Sequence, residues 1–186
     1  MTKTGLAILL MGTVALGACE NAEQKAARLA IEQAALSVCP ADQIISDVAE
    51  FTLDVPAYDN NESAAFHAIL KDREGVTTTE SGLQYSIVKS GNVKGPQPAP
   101  TNVVKVNYHG VFPDGSKFDS SFDRGQPTEF PLNRVISGWT EGVGLMRPCD
   151  AWTFYIPSDL AYGPNGRPGI PGGATLLFHV QLLEVK

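Results

Sequence analysis

Histidine and cysteine carry out much of the chemistry in proteins, and this chain has three of each. His67, His109 and His179 are isolated in the sequence and lack the short spacings of metal ligands, so we expect no metal site. No Ser–His–Asp arrangement and no glycine-rich phosphate loop is suggested either. The sequence therefore predicts no metal, no cofactor and no catalytic triad.

Cys19 follows an apolar segment near the N-terminus. Residues 5–16 are almost wholly apolar, and a run of about 12 residues fits a secretory signal peptide, whereas a spanning helix needs about 20. The sequence Leu-Gly-Ala-Cys at 16–19 resembles the lipobox of bacterial lipoproteins, in which the chain is cut before the cysteine and acylated there. We therefore expect a signal peptide at 1–18 and a lipid anchor on Cys19. The alternative is an ordinary secretory peptide followed by a chance cysteine.

The lipobox resemblance implies a protein of the bacterial cell envelope. Glu20 follows Cys19, whereas aspartate is typical there in lipoproteins retained at the inner membrane, so we expect an outer-membrane anchor facing the periplasm. No second long apolar stretch follows, so we expect the mature chain to be anchored rather than spanning. The formal net charge of −6 argues against a nucleic-acid partner, because a phosphate backbone selects surfaces rich in Lys and Arg.

The predicted secondary structure changes along the chain, from helices in the N-terminal part to strands in the C-terminal part. Good helix formers at 22–38 and an apolar stripe at 63–74 predict two helices. Residues 42–61 have no clear period and predict a linker or an irregular helix. We therefore predict a lipid-anchored helical N-terminal region with its linker over residues 19–80.

Short strands separated by turn signals begin near residue 82. Strands are predicted at 83–89, 103–112, 117–121, 152–156 and 174–185. A short helix is predicted within 135–146. The pattern predicts an α+β domain over residues 81–186, in which an antiparallel β-sheet wraps around a short helix.

Three segments resemble the FK506-binding class of peptidyl-prolyl isomerases: VNYHGVFPDGSKFDSSFDRGQPTEFPLNRVISGWTEGV (106–143), YIPSDLAYG (155–163) and ATLLFHVQLLEV (174–185). The order, spacing and identity of many uncommon residues make the resemblance specific. Residues 65–85 are similar to the Mip/FkpA branch, which consists of envelope proteins with a helical N-terminal part, often dimeric. The resemblance implies a peptidyl-prolyl cis-trans isomerase (rotamase) that acts on X–Pro bonds of exported proteins and binds FK506- or rapamycin-type inhibitors. It also implies a homodimer.

The resemblance further implies the residues of the site. The catalytic positions it implies are Tyr108, Asp119, Tyr162 and Phe178. The substrate-binding positions it implies are Phe118, Arg124, Phe130, Val135, Ile136, Trp139 and Ile170. Trp139 would form the floor of the pocket, and the backbone N–H of Ile136, at the start of the short helix, would bind a ligand carbonyl. Thr128 and Arg167 depart from some relatives, which bears on substrate preference.

An aromatic pocket with one carboxylate and one hydroxyl suits rotation about an amide bond. The barrier of about 18–20 kcal/mol comes from lost C–N resonance, while the cis and trans forms of X–Pro differ by only about 0.5–1 kcal/mol. The twisted amide has less charge separation than the planar one, so an apolar pocket favours the transition state.

Two other functions are compatible with the same residues. A non-catalytic proline-binding chaperone or interaction module would keep part of the aromatic set, and the helical region could itself be the working part, as a dimerising arm that holds clients. Taken singly, each aromatic residue is more often core, and we expect Trp152 and Phe154 to be core. The nearly complete aromatic set favours the enzyme.

Cys39 and Cys149 are the two thiols left once Cys19 is acylated. An exported chain occupies a compartment that permits disulfides, so an intrachain bond between the helical arm and the isomerase domain is one prediction. Two unrelated thiols, or a Cys39–Cys39 bond across a dimer, are the alternatives. The sequence leaves them open because it gives no distance between the Cα atoms.

Overall fold

The structure is a computed structural model that describes residues 22–51 and 63–186. The predicted signal peptide at 1–18, the predicted lipid anchor Cys19 and the second part of the 42–61 segment lie outside these ranges. None of the helices in the described part is both long and apolar enough to cross a bilayer.

Three α-helices and seven β-strands make up the regular structure of the described residues. The helices are α1 (Ala22–Leu36), α2 (Ser63–Lys71) and α3 (Ser137–Leu145). The strands are β1 (Val76–Thr78), β2 (Gln84–Lys89), β3 (Val103–Val111), β4 (Lys117–Ser120), β5 (Thr128–Pro131), β6 (Ala151–Ile156) and β7 (Leu176–Val185). Short 3-10 helices lie at Ala41–Gln43, Val48–Glu50, Leu132–Arg134 and Ser158–Leu160.

The strands of the described part form one antiparallel sheet in the order β1-β2-β6-β7-β3-β4, and β5 also pairs with β3. The α+β class and the antiparallel sheet around a short helix are thus confirmed. Strands β1 and β5 were not predicted, since three or four residues show no period of their own. Strand β4 is equally short and was predicted from the turn signal at 113–116 that precedes it. Because β1 pairs with β2, the sheet begins at Val76, before the boundary predicted at residue 81.

One face of the sheet wraps around α3 and forms the main core. Alternate residues of β3, β6 and β7 point to this face, as expected for strands that are buried on one side. Trp152 and Phe154 belong to this core, as predicted, together with Trp139 and Val143 of α3. Helix α3 approaches β6 closely because two of its residues that face this strand are glycines.

The opposite face, which we call the outer face, is covered by the N-terminal region. Phe66 of α2 packs on Tyr155 and Leu177. The Gln181 side chain accepts a hydrogen bond from the Ile45 backbone N–H (2.7 Å) and donates one to the Gln43 carbonyl (2.9 Å). The described part of the predicted linker is therefore docked on the sheet.

A disulfide joins Cys39 to Cys149, with their Cα atoms 4.9 Å apart. Beside it, the Cys39 backbone N–H donates to the Leu183 carbonyl at 2.6 Å. Cys149 occupies the turn before β6 with a φ of 72°, a region that usually favours glycine. The bond ties the N-terminal region to the turn that precedes β6, 110 residues further along the chain.

Candidate active site

A cavity of about 480 Å³ opens between the sheet and the N-terminal end of α3. Its lining combines aromatic rings, two aliphatic side chains and a few polar groups. The lining residues are Tyr108, Phe118, Asp119, Thr128, Phe130, Arg134, Val135, Ile136, Trp139, Tyr162, Arg167 and Phe178. Cavities of this size bind peptide segments or small ligands.

Trp139 is the centre of the aromatic wall. Its ring packs edge-to-face against Phe178 (centroids 5.0 Å apart), Tyr108 (5.3 Å) and Phe130 (5.5 Å). Phe118 packs on Phe178 in the same manner at 5.2 Å. Edge-to-face contacts of this kind hold each ring in one orientation, so the cavity has a rigid apolar surface. Trp139 comes from α3, while the other rings come from strands β3, β4, β5 and β7.

A hydrogen-bonded triangle forms the polar side of the cavity. The Tyr108 hydroxyl donates to Asp119 Oδ2 at 2.6 Å, and Arg124 Nη1 donates to Asp119 Oδ1 at 2.6 Å. Arg124 Nη2 closes the triangle by donating to the Tyr108 hydroxyl at 2.7 Å. It also reaches the Thr128 hydroxyl at 3.2 Å. Charge-assisted bonds of this length fix all three groups.

The pKa shifts in this triangle keep the Asp119 carboxylate ionised and the Tyr108 phenol protonated. Partial burial acts to raise the pKa of Asp119, but hydrogen bonds from Tyr108 and Arg124 outweigh it, so the pKa lies below the ordinary value. Burial, together with the hydrogen bond to Asp119, raises the pKa of Tyr108. At neutral pH the site therefore holds an ionised carboxylate and an intact phenol.

The N-terminal end of α3 supplies a free backbone donor. Ile136 caps the helix: its carbonyl accepts bonds from the N–H groups of Trp139 (3.0 Å) and Thr140 (3.1 Å). Its own N–H donates to no acceptor within the described residues. Because Ile136 lines the cavity, this N–H is available to a ligand carbonyl.

The structure brings most of the predicted site together. Nine of the predicted residues line the cavity: Tyr108, Phe118, Asp119, Phe130, Val135, Ile136, Trp139, Tyr162 and Phe178. Arg124 is not in the lining, but its guanidinium pairs with Asp119, which is.

Ile170 is placed differently from the prediction. Its side chain is 5% exposed and packs in the main core instead of lining the cavity. Its backbone forms a two-bond bridge with Arg167, which does line the cavity.

Three lining residues were absent from the predicted set. Thr128 and Arg167 were noted only as departures from relatives, and Arg134 carried no signal because an exposed arginine in a short turn has no distinctive pattern. Across residues 22–51 and 63–186, no group of three His, Cys, Asp or Glu side chains could hold a metal ion.

A sheet wrapped around a helix, with a rigid aromatic cavity between them, defines the class of peptidyl-prolyl isomerases that bind FK506. A family model described as FKBP-type peptidyl-prolyl cis-trans isomerase matches residues 95–183. A second model, the domain amino-terminal to this isomerase, matches residues 41–87. The chain belongs to the FKBP-type peptidyl-prolyl cis-trans isomerase family.

Relatives with curated names agree with this assignment. The FKBP-type isomerase FkpA of Aeromonas hydrophila is 41% identical over 182 residues, which are 97% of this chain and 67% of the relative. The isomerase Mip of Coxiella burnetii is 44% identical over 126 residues, 67% of this chain and 54% of Mip. The crystal structure of Escherichia coli FkpA superposes with a TM-score of 0.63 and 43% identity, covering 66% of this chain and 56% of that one. The matches therefore span roughly half to two thirds of each relative's length.

Proposed function

We propose that this chain catalyses cis–trans isomerisation of X–Pro bonds in exported proteins and so assists their folding in the bacterial envelope. The observation that carries the proposal is the cavity in which Trp139 and its neighbouring rings face the Tyr108–Asp119–Arg124 triangle.

The aromatic wall supplies differential binding of the transition state. A planar amide is strongly polar and loses hydration when it enters an apolar cavity, whereas the twisted amide is less polar and loses less. The rings around Trp139 are locked by edge-to-face packing, so they need no rearrangement as the bond turns. Each lowering of the barrier by about 1.4 kcal/mol gives a tenfold higher rate.

Polar groups hold the peptide while it rotates. In this proposal the free N–H of Ile136 and the hydroxyl of Tyr162 bind peptide carbonyls, and both residues line the cavity. The triangle fixes the Tyr108 ring and keeps the Asp119 carboxylate charged beside the amide. No covalent bond forms or breaks in this scheme, so no side chain transfers a proton.

A peptide assay tests this proposal. The full chain carrying Cys19→Ser, which prevents acylation, is mixed with a proline peptide and a protease that cleaves only the trans form. The rate at which the remaining cis peptide becomes cleavable then reports the rate of isomerisation. We expect acceleration in proportion to enzyme concentration, and inhibition by FK506 or rapamycin. Peptide binding without any acceleration would favour the alternative, a non-catalytic proline-binding module.

The location of the protein is a second part of the proposal. We infer that residues 1–18 are a signal peptide and that Cys19 is acylated, which anchors the protein to the outer membrane facing the periplasm. The sequence at 16–19 and the segment 5–16 support this inference. Wild type should fractionate with outer membranes and carry an acylated N-terminus, and Cys19→Ser should lose both properties. Mass spectrometry that finds an unmodified Cys19 in the mature protein would contradict the anchor.

A homodimer formed through the N-terminal region is a third part of the proposal. Helix α1 buries none of its residues, and Leu29 and Ile31 are 46% and 72% exposed. Apolar side chains left open on a helix are suited to packing against a second copy. Light scattering of the Cys19→Ser chain should give the dimer mass, whereas a monomer at tens of micromolar would contradict it.

A further inference from the structure

Two arginines of the cavity lining form no ion pair in the part of the chain that the structure describes. Arg134 ends the 3-10 helix just before α3, and Arg167 belongs to the loop between Tyr162 and β7. Both side chains line the cavity and are exposed at its opening. Within residues 22–51 and 63–186, neither one forms an ion pair.

The other charges of the cavity cancel each other. Asp119 is paired with Arg124 at 2.6 Å, so this couple has no net charge. Among the described residues that line the cavity, Arg134 and Arg167 therefore leave a net charge of +2, although the whole chain has a formal net charge of −6. A positive opening on an acidic protein attracts the acidic segments of a polypeptide and disfavours basic ones.

Arg167 is held in position. Its guanidinium lies over the Tyr162 ring, 4.4 Å from the centroid. Its backbone is fixed by two hydrogen bonds with Ile170, of 2.9 and 2.8 Å. Stacking uses the flat face of the guanidinium, so its N–H groups at the edge stay free to donate to a carboxylate.

Arg134 is placed beside the proposed carbonyl-binding position. It precedes Val135 and Ile136, whose side chains line the same cavity and whose segment carries the free N–H. A carboxylate close in sequence to the isomerising bond would therefore reach Arg134, Arg167 or both. Aspartate and glutamate are the residues that provide such a group.

From these observations we propose that the site selects X–Pro bonds flanked by an acidic residue, and that Arg134 and Arg167 are the specificity-determining residues. The inference rests on the proposed isomerase function and names its preferred substrate class. An exposed ion pair strengthens binding by about fivefold at most. Salt screens it, because the Debye length is about 10 Å at 0.1 M ionic strength.

The test compares proline peptides that differ only in Glu, Gln or Lys, placed either before X or after Pro. For each peptide, kcat/KM is measured by the isomerase assay and affinity by calorimetry, at low and at high salt. The proteins are the full Cys19→Ser chain, the same chain with Arg134→Gln, Arg167→Gln or both, and a control with Lys71→Gln. Lys71 is exposed on α2, on the outer face, and its replacement removes the same unit charge.

In at least one of the two positions, we expect Glu to be preferred over Gln by about threefold or more at low salt, with Lys least favoured. This Glu-to-Gln ratio should fall at high salt and should approach one in the double arginine variant. The Lys71→Gln control should show the same ratio as the parent chain. A ratio of one in the parent chain, or an unchanged ratio in the double variant, would overturn the inference even if the enzyme is active. Charge-dependent binding without turnover would support the inference and contradict the isomerase function.

Discussion

The Asp119 carboxylate is bonded by two side chains that reach it from different parts of the chain. Tyr108 belongs to β3 and Arg124 to the turn after β4, so the triangle links the sheet to the loop that borders the cavity. Burial alone would raise the pKa of Asp119, but these bonds outweigh it and lower the pKa below its ordinary value. At the residue scale, the triangle keeps Tyr108 fixed against Trp139.

Replacing Asp119 with alanine should reduce activity without unfolding the protein. Tyr108 loses its acceptor and Arg124 its counter-charge, so we expect kcat/KM to fall by about tenfold, which corresponds to about 1.4 kcal/mol. The Asp119 side chain is 38% exposed, so the fold should survive. Peptide kinetics and circular dichroism measure the two effects.

Asp123→Ala is the matched control for this change. Asp123 also forms an ion pair, with Lys117, but both side chains are exposed and neither lines the cavity. Equal losses of activity in the two variants would show that the triangle has no special role.

The cavity brings together several residues that the sequence singled out by their type and spacing. Tyr108, Asp119, Trp139 and Phe178 were found through their resemblance to a known pattern, and they meet in the cavity. Arg134 could not be found, because whether an exposed arginine faces a cavity depends on how its turn packs against the rest of the chain.

At the scale of elements, glycine decides how closely α3 approaches the sheet. A Cβ built on Gly138 would lie 2.5 Å from Ile156 Cγ2, and one on Gly142 would lie 2.6 Å from Phe154 Cε1. These positions have no room for a methyl group. Since α3 carries Trp139, this contact sets the depth of the cavity floor.

A pair of substitutions on the same helix tests this contact. Gly142→Ala should destabilise the protein by about 1–3 kcal/mol, because the methyl group overpacks the core against Phe154. Gly144→Ala should be neutral or stabilise by up to about 1 kcal/mol, since its Cβ would meet only Pro98 at 3.7 Å and alanine favours the helix. Urea unfolding measures both. Equal effects at the two positions would contradict the packing argument.

The disulfide is the covalent link between the N-terminal region and the sheet. Replacing Cys39 and Cys149 by alanine opens a loop of 110 residues, so we expect the free energy of unfolding to fall by about 2–4 kcal/mol. Non-reducing peptide mapping of the protein purified without reductant should find this bond. Free thiols at both positions, or a Cys39–Cys39 peptide, would contradict the intrachain link.

The strands that the sequence did not predict are short. The longer strands were predicted from alternating apolar residues, which reflects burial on one side. Strands β1 and β5 exist because longer neighbours pair with them, and such pairing leaves no periodic trace in three or four residues. The docking of residues 39–51 likewise depends on contacts with β7.

At the scale of the whole molecule, all three histidines lie where the N-terminal region meets the outer face or beside it. The His109 and His179 rings stack at 6.2 Å, and the Phe51 ring lies 5.4 Å from His179. The His179 Nδ1 atom is 2.7 Å from the Thr153 hydroxyl. Burial, and to a lesser extent the neighbouring His109, lowers the pKa of His179 to about 4.

This shift makes the stability of the fold depend on pH. The unfolded chain protonates His179 near its ordinary value of 6.5, whereas the folded chain resists protonation down to about 4. Stability is therefore full above pH 6.5 and falls as the pH drops towards 4, by on the order of 3 kcal/mol. The lowered pKa values of His67 and His109, also caused mainly by burial, act in the same direction.

Urea unfolding at several pH values between 4.5 and 8 tests this dependence. His179→Gln should flatten the decline, because glutamine takes up no proton. Parallel curves for the variant and the parent chain would show that His179 does not contribute to the loss.

The central claim is that the cavity accelerates rotation about X–Pro bonds in protein chains. The most direct test is the refolding of a client whose slow phase is limited by proline isomerisation, with the Cys19→Ser chain added far below the client concentration. We predict that the slow phase speeds up in proportion to the added chain and that excess FK506 returns it to the uncatalysed rate. A folded chain that leaves the slow phase unchanged would contradict the account.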